Sequence, residues 1–291
     1  MEFYLQAVQL SLCLGTMCLG IFITMKIFNI PDITTDGSYT LGATITAVLV
    51  THHYPLLIVI LAAMIMGSIA GALTGLIHTQ LKIDALLAGI LVMTGLYSVN
   101  LIILGRSNIP LINTTSIFSW INVFQNETYN NLIVGLVFCV TAILILTFIL
   151  KTDFGIAMRA TGNSETMTKA LGINNNRMKI IGLAIANALT ALSGFLVTQY
   201  QGFADINMGI GIVIVGLGSV LIASSFKNWL KIKTVSGQLI LIILGSFIFQ
   251  MVLAITLASG VDPNLLKLVT ALFVLFIVGL PRISNFIKNN K

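Results

Sequence analysis

The sequence predicts an all-α protein: a polytopic membrane helical bundle of about nine transmembrane helices, bounded by eight and ten, in a single domain over residues 1–291. Of its residues 57% are hydrophobic and only 8% charged, with a mean hydropathy of +1.03. A soluble domain carries roughly 25% charged residues. Apolar stretches of near-spanning length also recur along the whole chain, and a helix needs about 20 such residues to cross a bilayer.

These stretches lie at about 5–27, 39–51, 55–80, 85–104, 132–150, 180–200, 208–226, 235–258 and 265–280. The first begins within MEFYLQAVQL, which lacks a basic n-region and an A-x-A cleavage site, so it reads as a retained span. The second is too short to cross unaided. Its approach, IPDITTDGS, holds Asp32, Asp36 and Gly37. Non-helical backbone at membrane depth must be buried in protein or line a cavity. Asp32 and Asp36 therefore read either as helix caps at a cytoplasmic loop or as part of a solute path. Asp36, Ser38, Thr40 and Gly42 are the candidates for that path.

In the third stretch Gly67, Gly71 and Gly75 recur every four residues, a face that admits another helix closely. Structural packing is the plain reading; a helix that slides as a pathway opens is the other. Gly209, Gly211, Gly216 and Gly218 thin the seventh stretch similarly. Between the fourth and fifth, residues 117–124 predict a short helix in the outer interface anchored by Trp120, or a docking surface for an external partner. Asn100, Asn187, Gln199 and Gln250 are expected to hydrogen-bond between helices, with Asn100 and Asn187 also candidates for the path. Cys13, Cys18 and Cys139 sit in apolar runs and read as buried small residues.

Basic residues in the loops orient the bundle. Lys151, Arg159, Lys169, Arg177 and Lys179 follow the fifth stretch, Lys227, Lys231 and Lys233 precede the eighth, and Arg282, Lys288 and Lys291 close the chain. They alternate with connections poor in Lys and Arg. The positive-inside rule places the basic set, and the C-terminus, in the cytoplasm. The net charge of +6 follows from this bias and does not require a nucleic-acid partner.

The most informative loop runs over about 151–179. With Asp153 and Glu165 its five cations make seven charges, which would cost on the order of 20 kcal/mol at a bilayer centre. It must lie in water. Asn163 or Ser164 is placed to cap a helix of about eight residues, with Glu165 in its first turn. Gly162 breaks the chain before it and Gly172 closes it. Met167, Ala170 and Leu171 then share a face suited to a groove on a partner.

Motifs for chemistry are missing. There is no GxxxxGK[ST] phosphate loop, so ATP hydrolysis by this chain is not expected. His52, His53 and His78 have no metal-ligand spacing, and no catalytic triad or paired carboxylates stand out. An ion-coupled carrier needs an ionisable group in mid-membrane, and Asp36 is the one exception to a path without them.

TDFGIAMRATGNSETMTKALGI, followed by NNNRMKIIGLAIANALTALSGF, resembles the permease subunits of the ATP-binding cassette importers that include the branched-chain amino acid and ribose systems. Thr152, Gly155, Arg159, Ala160, Gly162, Asn163, Ala170, Gly172 and Ile173 carry the motif, and TTDGSYTLGA is similar to that group's second membrane segment. In detail the chain resembles small single-permease systems assigned to amino acids such as tryptophan or tyrosine; near relatives handle sugars and nucleosides. The resemblance implies a cobalamin-importer-like fold in a bacterial plasma membrane. It implies a coupling helix served by Gly155, Arg159, Ala160, Gly162, Asn163, Glu165, Ala170 and Gly172. It also implies a second permease copy, a separate ATPase subunit binding ATP and Mg, and an external substrate-binding protein. No cofactor is expected on this chain. The rival expectations are a gradient-driven secondary carrier, and an assembly subunit or lipid-modifying enzyme.

Overall fold

A computed structural model describes residues 2–112, 114, 116–119, 127–262 and 265–289. Eleven helices are present among them. α1 (Glu2–Phe22) runs on as a π-helical turn, Ile23–Ile27, and is followed by α2 (Thr34–Thr51), α3 (Leu56–Gln80), α4 (Ala85–Leu104) and α5 (Glu127–Lys151). Two short helices, α6 (Asp153–Asn163) and α7 (Glu165–Ala170), precede α8 (Asn175–Gln201), α9 (Ile212–Leu230), α10 (Val235–Ala258) and α11 (Leu266–Asn289). Seven of these, α1 with its π turn, α3, α4, α5, α8, α9 and α10, are long and apolar enough to cross a membrane. α2 and α11 occupy the two other predicted positions, and α11 is apolar over Leu266–Ile277.

Burial separates the bundle into an interior and a periphery. The spanning parts of α1 and α8 are 78% and 72% buried, against 33%, 17% and 28% for α3, α4 and α5. α2 is buried along most of its length. α8 forms the axis, with α1, α2 and α3 packed around it. Gly67, Gly71 and Gly75 all face α8: an added Cβ would meet Asn187 and Ala191, Leu183, and Ile180 in turn. The glycine face is thus a packing seam that brings two helix backbones together. Hydroxyls stitch further contacts, Ser193 donating to the Cys13 carbonyl (2.9 Å) and Ser246 to that of Ser11 (3.0 Å). The three cysteines are buried and free.

Two expectations need correction. α2 begins at Thr34, so Asp36 and Gly37 lie inside the helix. Gly209 and Gly211 precede α9 instead of thinning it, and Gly211 is its N-cap at φ +82°. Of the 117–124 segment only Ile117–Ser119 is described, a 3-10 turn whose Ile117 and Phe118 are buried. Gln199 accepts the Ile117 N–H (3.0 Å), and Phe118 stacks edge-on against Tyr200. Trp120 and residues 121–126 lie outside the described residues. One element went unread: β1 (Asn108–Pro110) pairs antiparallel with β2 (Phe203–Asp205), tying the end of α4 to the end of α8.

Basic residues gather at one end of the bundle. The end of α1 meets α6 at Gly162, and the end of α3 meets the start of α8 at Gly75. Lys26, Arg159, Lys227 and Lys233 share one cavity there. At the other end, the β1–β2 ribbon carries Asp205.

Candidate functional site

Two polar regions stand out against the apolar bundle, and the first is the segment after α5. Thr152 caps α6, its Oγ1 accepting the Gly155 N–H (3.4 Å). Gly155 lets α6 turn back against the end of α5, since a Cβ would meet the Ile149 carbonyl and Leu150. Met158 is fully buried, so α6 docks on the bundle. Gly162 does not break the chain. It lies within α6 where the Ile27 backbone comes so close that no side chain fits. Asn29 donates to the Gly162 carbonyl (3.2 Å) and closes the joint.

Ser164, not Asn163, caps α7, accepting the Met167 N–H (3.4 Å). α7 is six residues long, and Gly172 at φ +78° ends the turn after it. α7 is also clamped from behind. Thr168 donates to Asn175 Oδ1 (2.8 Å), and Asn175 Nδ2 donates to the Glu165 carbonyl (2.7 Å). Lys179 bonds Glu165 at 2.7 Å. Asn175 and Thr168 were missed because an Asn in a polar loop carries no local sign of a partner ten residues away. The outward face keeps Met167 at 63% and Leu171 at 67% exposure, with Ala170 beside them. Arg159, Ala160 and Asn163 line the basic cavity instead.

The second region surrounds the start of α2. Asp32 Oδ1 accepts the Thr34 N–H (2.9 Å) and Oδ2 accepts from Asn187 Nδ2 (2.8 Å). Ser38 donates to Asn187 Oδ1 (2.7 Å), and the Thr34 and Thr74 hydroxyls lie 2.7 Å apart. Asn187 stands near the middle of α8, so the non-helical residues 28–33 sit beside the core of the bundle, where Phe28, Ile30 and Asp32 are buried. Asp36 caps a different helix from its own. Its carboxylate accepts the Gly211 N–H (2.8 Å) and the Val213 N–H (2.9 Å) at the start of α9. Those two donors are among the four an α-helix leaves unpaired at its N-terminus.

All six path candidates therefore lie in the packed interior of this chain. Asp36, Ser38, Asn100 and Asn187 bond to neighbouring elements, Asn100 through the Gly37 carbonyl (3.2 Å). Thr40 bonds back to the Asp36 carbonyl (3.0 Å), and Gly42 admits the α8 backbone at Ala191. Replacing Ser38 with alanine removes one interhelical hydrogen bond and is expected to cost about 1 kcal/mol. Denaturant unfolding of the purified chain measures it, and an unchanged midpoint would count against the network.

Open space adjoins α2 at the far end instead. A cavity of about 650 Å³ lies between α1, α2, α8 and α10. Tyr39, Tyr200, Phe203 and Gln250 are on its wall, with Asp205 at the ribbon. Aromatic faces with a few polar groups suit a small amphipathic solute.

Comparison with known proteins agrees with this architecture. Residues 3–278 match the family described as branched-chain amino acid transport system, permease component. The chain is 41% identical over 266 residues to a tyrosine transport system permease protein of Clostridioides difficile (strain R20291), covering 91% of this chain and 86% of that one. It is 34% identical to an uncharacterised protein of Rickettsia prowazekii (strain Madrid E), over 95% and 96% of the two chains. A ribose import permease protein of Haemophilus influenzae is 26% identical over 67% of this chain and 60% of its own. No solved structure matches. The chain belongs to the branched-chain amino acid transport system permease family, as a multi-span permease component.

Proposed function

We propose that this chain forms the membrane path of an ATP-driven importer for an amino acid with an aromatic side chain. α7 carries the reading: a short helix held out of the bundle by Thr168, Asn175 and Lys179, with Met167 and Leu171 exposed. A chain built only to sit in lipid has no use for an apolar face there, whereas a groove on a separate ATPase does. The basic residues around it support a cytoplasmic location for this end and for the C-terminus. The aromatic substrate rests on the similarity to the tyrosine permease. The cavity at Tyr39, Tyr200 and Gln250 is its outer mouth, fed by an external binding protein, with the path continuing beside α2 and a second copy completing it.

A gradient-driven carrier fits less well. Asp32 and Asp36 already accept two hydrogen bonds each, which leaves neither carboxylate poised to exchange an ion.

The coupling claim is tested by Met167→Asp with Leu171→Asp. Both side chains are exposed, so the chain should fold as before. Co-purification with its ATPase and ATP-driven uptake in proteoliposomes should fall at least about tenfold, the loss expected for two buried apolar anchors. Undiminished association and uptake would overturn the reading.

A further inference from the structure

At the basic end a second cavity, of about 660 Å³, opens between the end of α1, α6, and the corner joining α9 to α10. Lys26, Arg159, Lys227 and Lys233 stand on its wall, and no aspartate or glutamate does. The four come from four different elements: the π turn, α6, α9 and the α9–α10 loop. Packing does not explain the grouping, because like charges around one hollow repel one another.

Nearby acids stand off its wall, Asp153 at the start of α6 among them. Glu165 is bonded to Lys179 and Asp32 to Thr34 and Asn187. Among the described residues none of the four cations has an ion-pair partner. Asn163 and Asn228 add neutral donors, over a floor that includes Phe22, Leu150 and Ile242.

We propose that this cavity binds a phosphate-bearing anion, held by Lys26, Arg159, Lys227 and Lys233. A carboxylate brings one charge and two oxygens. A phosphate group brings more oxygens, which a guanidinium fork and three ammonium groups match from several sides. Basic pockets between membrane helices near the cytoplasmic surface suit anionic lipid headgroups, and free phosphate presents the same oxygens. The inference does not depend on ATPase coupling.

The test uses the full chain with Lys26→Gln/Lys227→Gln, against Lys82→Gln/Lys231→Gln, which removes equal charge outside the cavity. One arm measures phosphatidylglycerol retained over phosphatidylcholine by native mass spectrometry after reconstitution in mixed vesicles. The other follows thermal unfolding in detergent as inorganic phosphate replaces chloride at matched ionic strength. The cavity pair should weaken retention, or raise the half-saturating phosphate concentration, by about tenfold or more, and the outer pair should not. An effect in the lipid arm assigns a headgroup, and one in the phosphate arm a soluble anion. Equal loss in both pairs, loss in neither, or no anion preference in the native chain overturns the proposal. Lys233→Gln, at an exposed loop position, gives the same readings if the first pair does not fold.

Discussion

Gly162→Ala is expected to destabilise the chain by about 1–3 kcal/mol or more and to abolish productive uptake, although only one methyl group is added. The new Cβ would fall on the Ile27 carbonyl oxygen and press on Phe28, both backbone of the neighbouring turn. A flexible side chain could move aside; a backbone cannot shift without moving α1 or α6. The Asn29–Gly162 hydrogen bond goes with it. α7 lies beyond this joint and keeps its own clamp to Asn175, so under the proposed coupling the variant should still bind the ATPase while hydrolysis no longer drives transport. Thermal unfolding of the purified chain, with ATPase activity and uptake compared in the same proteoliposomes, checks this. Wild-type stability together with wild-type uptake would show that the joint transmits nothing.

Asp36→Leu should have an effect as large by a different route. The carboxylate satisfies two backbone donors at the start of α9, and leucine offers them nothing. Each buried donor left unpaired costs about 1–3 kcal/mol, and the lost cap contributes to the same deficit. A fall of about 3–5 kcal/mol is expected in denaturant unfolding. Asp36→Asn keeps one acceptor oxygen and should lose less than half of that. If the two variants fall equally, the negative charge matters more than the geometry of the cap.

These two residues also mark where the sequence was legible and where it was not. Long helices such as α3 and α10 declare themselves, because a lipid environment requires an unbroken apolar run. Around Asp36 and Gly162 the same residue types that signal loops in isolation serve helices in contact. TTDGS has the composition of a loop, yet its polar groups are satisfied by α3, α8 and α9, and Thr40 bonds back along α2. Gly162 carries the signature of a breaker because a glycine weakens a free helix. Here the close approach of Ile27 excludes any larger residue, and that approach has no local trace. The exposed face of Met167, Ala170 and Leu171 was legible, since it needs only helical periodicity. The clamp at Thr168 and Asn175 was not, since it depends on how α8 returns beneath α7.

The cysteines have an experimental use. Cys13, Cys18 and Cys139 are 0%, 0% and 2% exposed, deep in α1 and α5, and the Cys139 thiol is turned toward the Leu12 carbonyl (2.9 Å). Thiol reagents that act from water require an accessible thiolate, so the native chain should stay dark to a membrane-impermeant maleimide. The protein is therefore its own unlabelled background. A single Met167→Cys would report alone, and its protection when an ATPase partner is added would test the proposed contact without removing any natural residue from the core.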